Sequence, residues 1–120
     1  MGEKIQKWLF DIKMAIDEIN GFLQNEEMDF PKYRNHIMLK RAVERNFELI
    51  GEAINRIITF DPSFIEKITD AKSIVGLRNQ VIHAYDNLSD EIIWSILINH
   101  LPKLKKEIDD LILSGTDRNN

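Results

Sequence analysis

The chain has no cysteine among its 120 residues. That excludes a disulfide framework, thiolate metal sites and cysteine nucleophiles, and it fits a reducing, cytoplasmic compartment. Long apolar runs are missing as well. The N-terminal MGEKIQKWLF carries charges inside its apolar pattern, so it reads as neither a signal peptide nor a membrane span, and Gln6 breaks the myristoylation pattern. An excess of positive charge is also absent. The formal net charge of −4 argues against a protein that coats nucleic acid by bulk electrostatics, and the cationic runs Lys32–Arg45 and Lys103–Lys106 read first as solvated helix faces. No GxxxxGK loop, GxGxxG turn, HExxH pair or nucleophile elbow occurs, so autonomous ATP-driven or zinc-dependent chemistry is not expected, nor is a bound metal or cofactor.

What is present is helical periodicity. With 43% hydrophobic and 30% charged residues, the composition is that of one ordinary globular domain. Ile5, Trp8, Leu9, Ile12, Ile16, Ile19, Phe22 and Leu23 recur at helical spacing and predict a helix from Glu3 to about Leu23. After a break at Asn25 to Pro31, a second helix is expected to run to about Phe60, with Ile37, Val43, Phe47, Ile50, Ile54, Ile57 and Ile58 as its stripe. Asp61-Pro62 stops it, because proline disfavours helical geometry in the residue before it. A short helix over Ser63–Ile68, a connector at Thr69–Lys72 and a helix from Ser73 to about Tyr85 follow. Ser89 then caps a last helix that reaches about Leu113, with Pro102 kinking or splitting it. Strand alternation and repeats are absent. The fold class is all-α, an antiparallel four- to five-helix bundle over residues 1–113, with residues 114–120 as a polar tail.

The segment RNQVIHAY, residues 78–85, is not explained by core packing alone. On a helical wheel Ile74, Leu77, Val81, Ala84 and Leu88 form the core stripe, and Arg78 and Tyr85 lie at its edge. Asn79 and His83 share the opposite side, with Val75 and Ile82 between. A second, partly apolar face predicts a homodimer whose partner surface covers it. Each polar residue also has an ordinary structural reading: a snorkelling arginine, a structural histidine, a tyrosine with its ring in and its hydroxyl out. Together they support chemistry. Histidine moves protons near neutral pH, and arginine presents a cationic fork to phosphate oxygens. Cleavage of RNA by its own 2′-hydroxyl needs those two services and no metal. Arg78 and His83 differ by about 140° on a regular helix, so a distorted helix or a site completed by two subunits is required.

Arg78-Asn79-Gln80-Val81-Ile82-His83-Ala84-Tyr85 resembles the R-x(4)-H-x-Y signature of HepT-like toxins of the HEPN superfamily. The block from Ala42 to Ala53, and Trp94 through Leu104 with its Leu101-Pro102 pair, are similar to that family's second and C-terminal helices. The resemblance implies a dimeric, HEPN-like helical bundle acting as a metal-independent endoribonuclease toxin of a toxin–antitoxin pair. Arg78 and His83 would be catalytic and Asn79 supporting. An MntA-like nucleotidyltransferase antitoxin would silence the protein by AMPylation of Tyr85, adding bulk and negative charge beside Arg78. Two other readings are a non-catalytic nucleotide-binding or substrate-presenting subunit of such a nucleotidyltransferase, and a purely structural dimer. Elsewhere, Gly51 inside a helix predicts close packing. The acidic row Glu44, Glu48 and Glu52 predicts ion pairing with Arg45, Arg56 or a partner chain in preference to metal binding. His36 and His100 show no ligand spacing and read as surface or core histidines.

Overall fold

A computed structural model describes residues 2–24, 28–76 and 89–118. Helix α1 spans Glu3–Leu23, α2 spans Phe30–Asn35 and α3 spans Ile37–Phe60; a 3-10 turn covers Pro62–Ile65. Residues 71–76 are helical and begin α4; α5 spans Asp90–Asn99 and α6 spans Leu101–Arg118. No strand occurs among the described residues. The chain is an all-helical bundle.

The first helix has the bounds its periodicity predicts. Ile5, Leu9, Ile12, Ile16 and Ile19 are buried, joined by Ala15. Phe22, expected in the stripe, is 42% exposed. It lies about 40° from Trp8 on the wheel, on the flank of the stripe rather than its centre. Helix α1 packs chiefly on α3 and also contacts α6. Side chains fix the first pairing as antiparallel: Trp8 meets Phe60 edge-on with ring centroids 6.0 Å apart, while Asn46 reaches back to Ala15 and Glu18.

The expected second helix is two helices. Asp29 caps α2 by accepting from the Lys32 backbone N–H at 2.9 Å, and Pro31 occupies the first turn, where a missing N–H costs nothing. At His36 the backbone leaves helical geometry, and the imidazole Nδ1 accepts from the Leu39 N–H at 3.1 Å to start α3. A histidine serving as an N-cap is a weak sequence signal, which is why periodicity ran through it. In α3, Val43, Phe47, Ile50, Ile54 and Ile57 are buried as expected, Ile58 is half-buried, and Gly51 is buried among them. Ile37 is the correction: it is 68% exposed, because it sits about 120° from Val43 on the wheel, whereas Leu39 lies on the stripe and is buried.

Asp61 ends α3 and opens the 3-10 turn, which stands where a helix over Ser63–Ile68 was expected; its carboxylate accepts from the Ser63 N–H and hydroxyl. Those bonds hold the Asp61 carboxyl below the usual aspartate range. Helix α4 starts at residue 71, inside the stretch read as a connector, and buries Ala71 and Ile74. Ser89 caps α5 through the Ile92 N–H, as the sequence predicts. The final helix does split, at His100, leaving Pro102 in the first turn of α6. Helix α6 continues to Arg118, well past Leu113.

Core and surface positions predict different tolerances. Phe47→Ala should cost about 3–5 kcal/mol, while Ile37→Ala should stay within about 0.5 kcal/mol. Urea unfolding monitored by circular dichroism measures both. Equal losses would contradict this assignment of faces.

Candidate functional site

Arg78, Asn79, His83 and Tyr85 all lie in residues 77–88, outside the described residues. The wheel positions of Leu77, Val81, Ile82, Ala84 and Leu88 fall there too. The structure does describe how both ends of that segment are held.

The upstream end is gripped from α6. Glu107 accepts from the Thr69 backbone N–H at 3.2 Å and from its hydroxyl at 2.5 Å. Asp70 pairs with His100 Nδ1 at 3.1 Å and with Lys103 Nζ at 3.2 Å. His100, where α5 ends and α6 begins, and Lys103 and Glu107 of α6 stand at i, i+3 and i+7, so the start of α6 and the residue before it hold the two residues that precede α4. The Asp70 carbonyl in turn accepts the Ile74 N–H at 2.9 Å, and Ile74 is buried.

The downstream end is held from α3. Lys40 pairs with Asp90 at 3.1 Å, and both side chains are mostly shielded from water. Next to this pair, Tyr33 is fully buried, its ring tilted on Trp94 at 5.4 Å and Trp94 tilted on Phe30 at 6.2 Å. Among the described residues the Tyr33 hydroxyl has no hydrogen-bond partner. Burial first, then the carboxylates of Glu44 and Asp90, push this phenol well above the ordinary tyrosine range. It stays neutral at any physiological pH.

Asn46 is the buried polar side chain among the described residues. Its amide donates to the Ala15 carbonyl at 3.0 Å and to Glu18 Oε1 at 3.0 Å, joining α3 to α1. Sequence reading left it without a role. The signal was available: an asparagine three residues after Val43 and four before Ile50 stands on the buried stripe.

Of the acidic row, Glu44 pairs with Arg41 at 3.0 Å, a partner the sequence reading did not name, and Glu52 pairs with Arg56, one that it did, at 2.6 Å. The row is ion-paired at two of its members. His36 and His100 are helix-end residues with definite bonds. Among the described residues no three His, Asp or Glu side chains converge as a metal site, and no helix is long and apolar enough to cross a membrane.

A family model described as ribonuclease HepT-like matches residues 12–111. Among curated relatives, "Putative RNase MJ1380" of Methanocaldococcus jannaschii is 35% identical over 88% of this chain and 94% of its own. "Putative RNase MJ0127" of the same organism is 32% identical over 97% and 95%, and "Probable ribonuclease HepT" of Thermococcus cleftensis is 28% identical over 87% and 92%. No solved structure matches the chain.

The Tyr33 environment gives a pH prediction. Its folded-state pKa lies above the unfolded value of about 10, so its contribution is constant below that pH and stability is lost as pH rises beyond it. Tyr33→Phe, which removes a buried hydroxyl with no partner among the described residues, should be neutral or stabilising at pH 7 and should abolish part of the loss above about pH 10. Urea midpoints for both proteins across pH 7–11 measure the difference; parallel curves would refute it. For Asn46→Asp the sign is the same, but the pH window is the carboxylate's. A carboxylate facing the Ala15 carbonyl and Glu18 should lower stability at pH 7, with partial recovery on acidification toward pH ~4.

Proposed function

Because the chain belongs to the HepT-like ribonuclease family, we propose that it is a metal-independent endoribonuclease toxin of a toxin–antitoxin pair, with its site at residues 78–85. The observation that carries this reading is the family match over residues 12–111, which spans the whole R-x(4)-H-x-Y segment. The anchoring of both ends of that segment supports it: Thr69 and Asp70 are held from α6, and Asp90 is held from α3. A reactive segment gains from supports that do not shift.

In this reading His83 moves the proton at the attacking 2′-oxygen or at the leaving 5′-oxygen, and Arg78 stabilises the charge that builds on the pentacoordinate phosphorus. The bond from the 2′-oxygen to phosphorus forms as the bond to the 5′-oxygen breaks, and neither event requires a metal. Asn79 supports the pair. A homodimer brings two copies of the signature to one cleft, which answers the angular separation of Arg78 and His83. Regulation falls to Tyr85: transfer of AMP from ATP by a cognate MntA-like nucleotidyltransferase would place a phosphate beside Arg78, competing with substrate for the same cation. A cytoplasmic setting suits both the RNA substrate and the ATP.

Purified protein should cleave a mixed RNA pool in EDTA, and Arg78→Ala and His83→Ala should each lower the rate by about 100-fold or more. Unchanged cleavage in both variants, or cleavage abolished by EDTA, would overturn the assignment. The polar signature, which core packing alone does not explain, favours the nucleotide-binding reading over the structural one as the alternative, and a silent protein with measurable ATP affinity would establish it. Incubation with the nucleotidyltransferase and ATP should add one AMP mass to wild type and none to Tyr85→Phe.

A further inference from the structure

Two surfaces outside the proposed site carry exposed apolar side chains, and their charges are opposite. The first is a groove between α1 and α3 with a volume of about 440 Å³. Ala15 and Ala53 form its small-residue floor, Trp8, Met14 and Leu49 supply its apolar walls, and Asp11, Glu18 and Glu52 bring carboxylates to it. Arg56, paired with Glu52, is the cation that lines it; Lys7 reaches Asp11 from outside. Met14 and Leu49 are substantially exposed.

The second is the junction of α2 and α3. Ile37 and Met38 are 68% and 80% exposed, the highest values for large apolar side chains among the described residues. They border a shallow depression shared with Lys32, Asn35 and His36, with no carboxylate among the described residues that line it. Arg34 is exposed just before the junction, and Arg41 follows one turn later, with Glu44 as its partner.

We propose that these surfaces meet between copies: the Ile37–Met38 junction of one chain seats in the α1–α3 groove of another. Charge decides the pairing. Groove against groove would set carboxylates facing carboxylates, and junction against junction would set cations facing cations, both of which suppress association. Junction in groove places Arg34 and Arg41 near Asp11, Glu18 and Glu52, and covers the apolar side chains of both. A groove of this volume lies in the range that accepts a drug-sized ligand, enough for two aliphatic side chains. Such a contact joins two different surfaces, so it is heterologous. Each chain keeps one free junction and one free groove, and assembly continues into rings or open chains. It is therefore separate from the symmetric dimer of the ribonuclease reading, and either can fail alone.

Sedimentation equilibrium across a concentration series tests it, with Met38→Glu and Leu49→Lys, both exposed positions, and circular dichroism confirming the fold of each. Wild type should show an average mass that climbs with concentration and falls when salt is raised to 1 M. Each variant alone should lose that rise, because Met38→Glu faces the groove's carboxylates and Leu49→Lys faces the junction's cations. Mixed in equal amounts, the two should recover the rise, since the unaltered junction of the Leu49→Lys chain fits the unaltered groove of the Met38→Glu chain and the introduced glutamate meets the introduced lysine. A wild type whose mass equals that of both variants at every concentration would overturn the proposal and leave the groove to a foreign basic partner. A rise that persists in either variant, or a mixture that stays at the mass of its components, would overturn it equally. RNA cleavage by the same variants should match wild type, which keeps this test independent of the catalytic one.

Discussion

The antiparallel seating of α1 on α3 is the constraint on which the rest of the molecule depends. Isoleucine and leucine supply most of its buried surface: Ile5, Leu9, Ile12, Ile16 and Ile19 from one helix, Phe47, Ile50, Ile54 and Ile57 from the other. Apolar contact of this kind is non-directional and tolerates sliding. Asn46 removes the freedom. Its amide can reach the Ala15 carbonyl and Glu18 in one register only, since displacement by a turn would leave a buried amide without partners. At the opposite end Trp8 against Phe60 closes the same pairing. Once these helices are fixed, α6 has a surface to lie on, with Lys13 bridging to Asp109 at 3.3 Å.

Much of this fold was legible in the sequence because periodicity and caps are local. The bounds of α1, the stop at Asp61-Pro62, the Ser89 cap and the break near Pro102 follow from residues within a turn of each feature. Errors arose where the deciding partner was distant or unusual. His36 divides α2 from α3 by lending an imidazole nitrogen to a cap, a job normally done by serine or aspartate. The Arg41 pairing of Glu44 depended on rotamers that periodicity does not specify.

For the candidate site, legibility ran the other way. The motif at residues 78–85 was read from sequence, and the family match covers the positions it occupies. What the sequence did not disclose was the framing: Tyr33 beneath Trp94, Lys40 on Asp90, and one face of α6 holding Thr69 and Asp70. Each joins positions far apart in the chain, and single-sequence reasoning has no rule for such pairs. Charged side chains do this framing in partly shielded settings, where ion pairs are worth more than at an open surface.

The grip of His100, Lys103 and Glu107 on the start of α4 bears on the order of biosynthesis. These side chains are translated after the segment they support. Domains fold as they emerge, N-terminus first, so α1 and α3 can pair while the ribosome is still adding the C-terminal helix. The support for residues 69–76 arrives only when that helix docks. Residues 69–76 therefore take up their described positions only after the α1–α3 pair has formed, which makes the start of α4 a late event in folding.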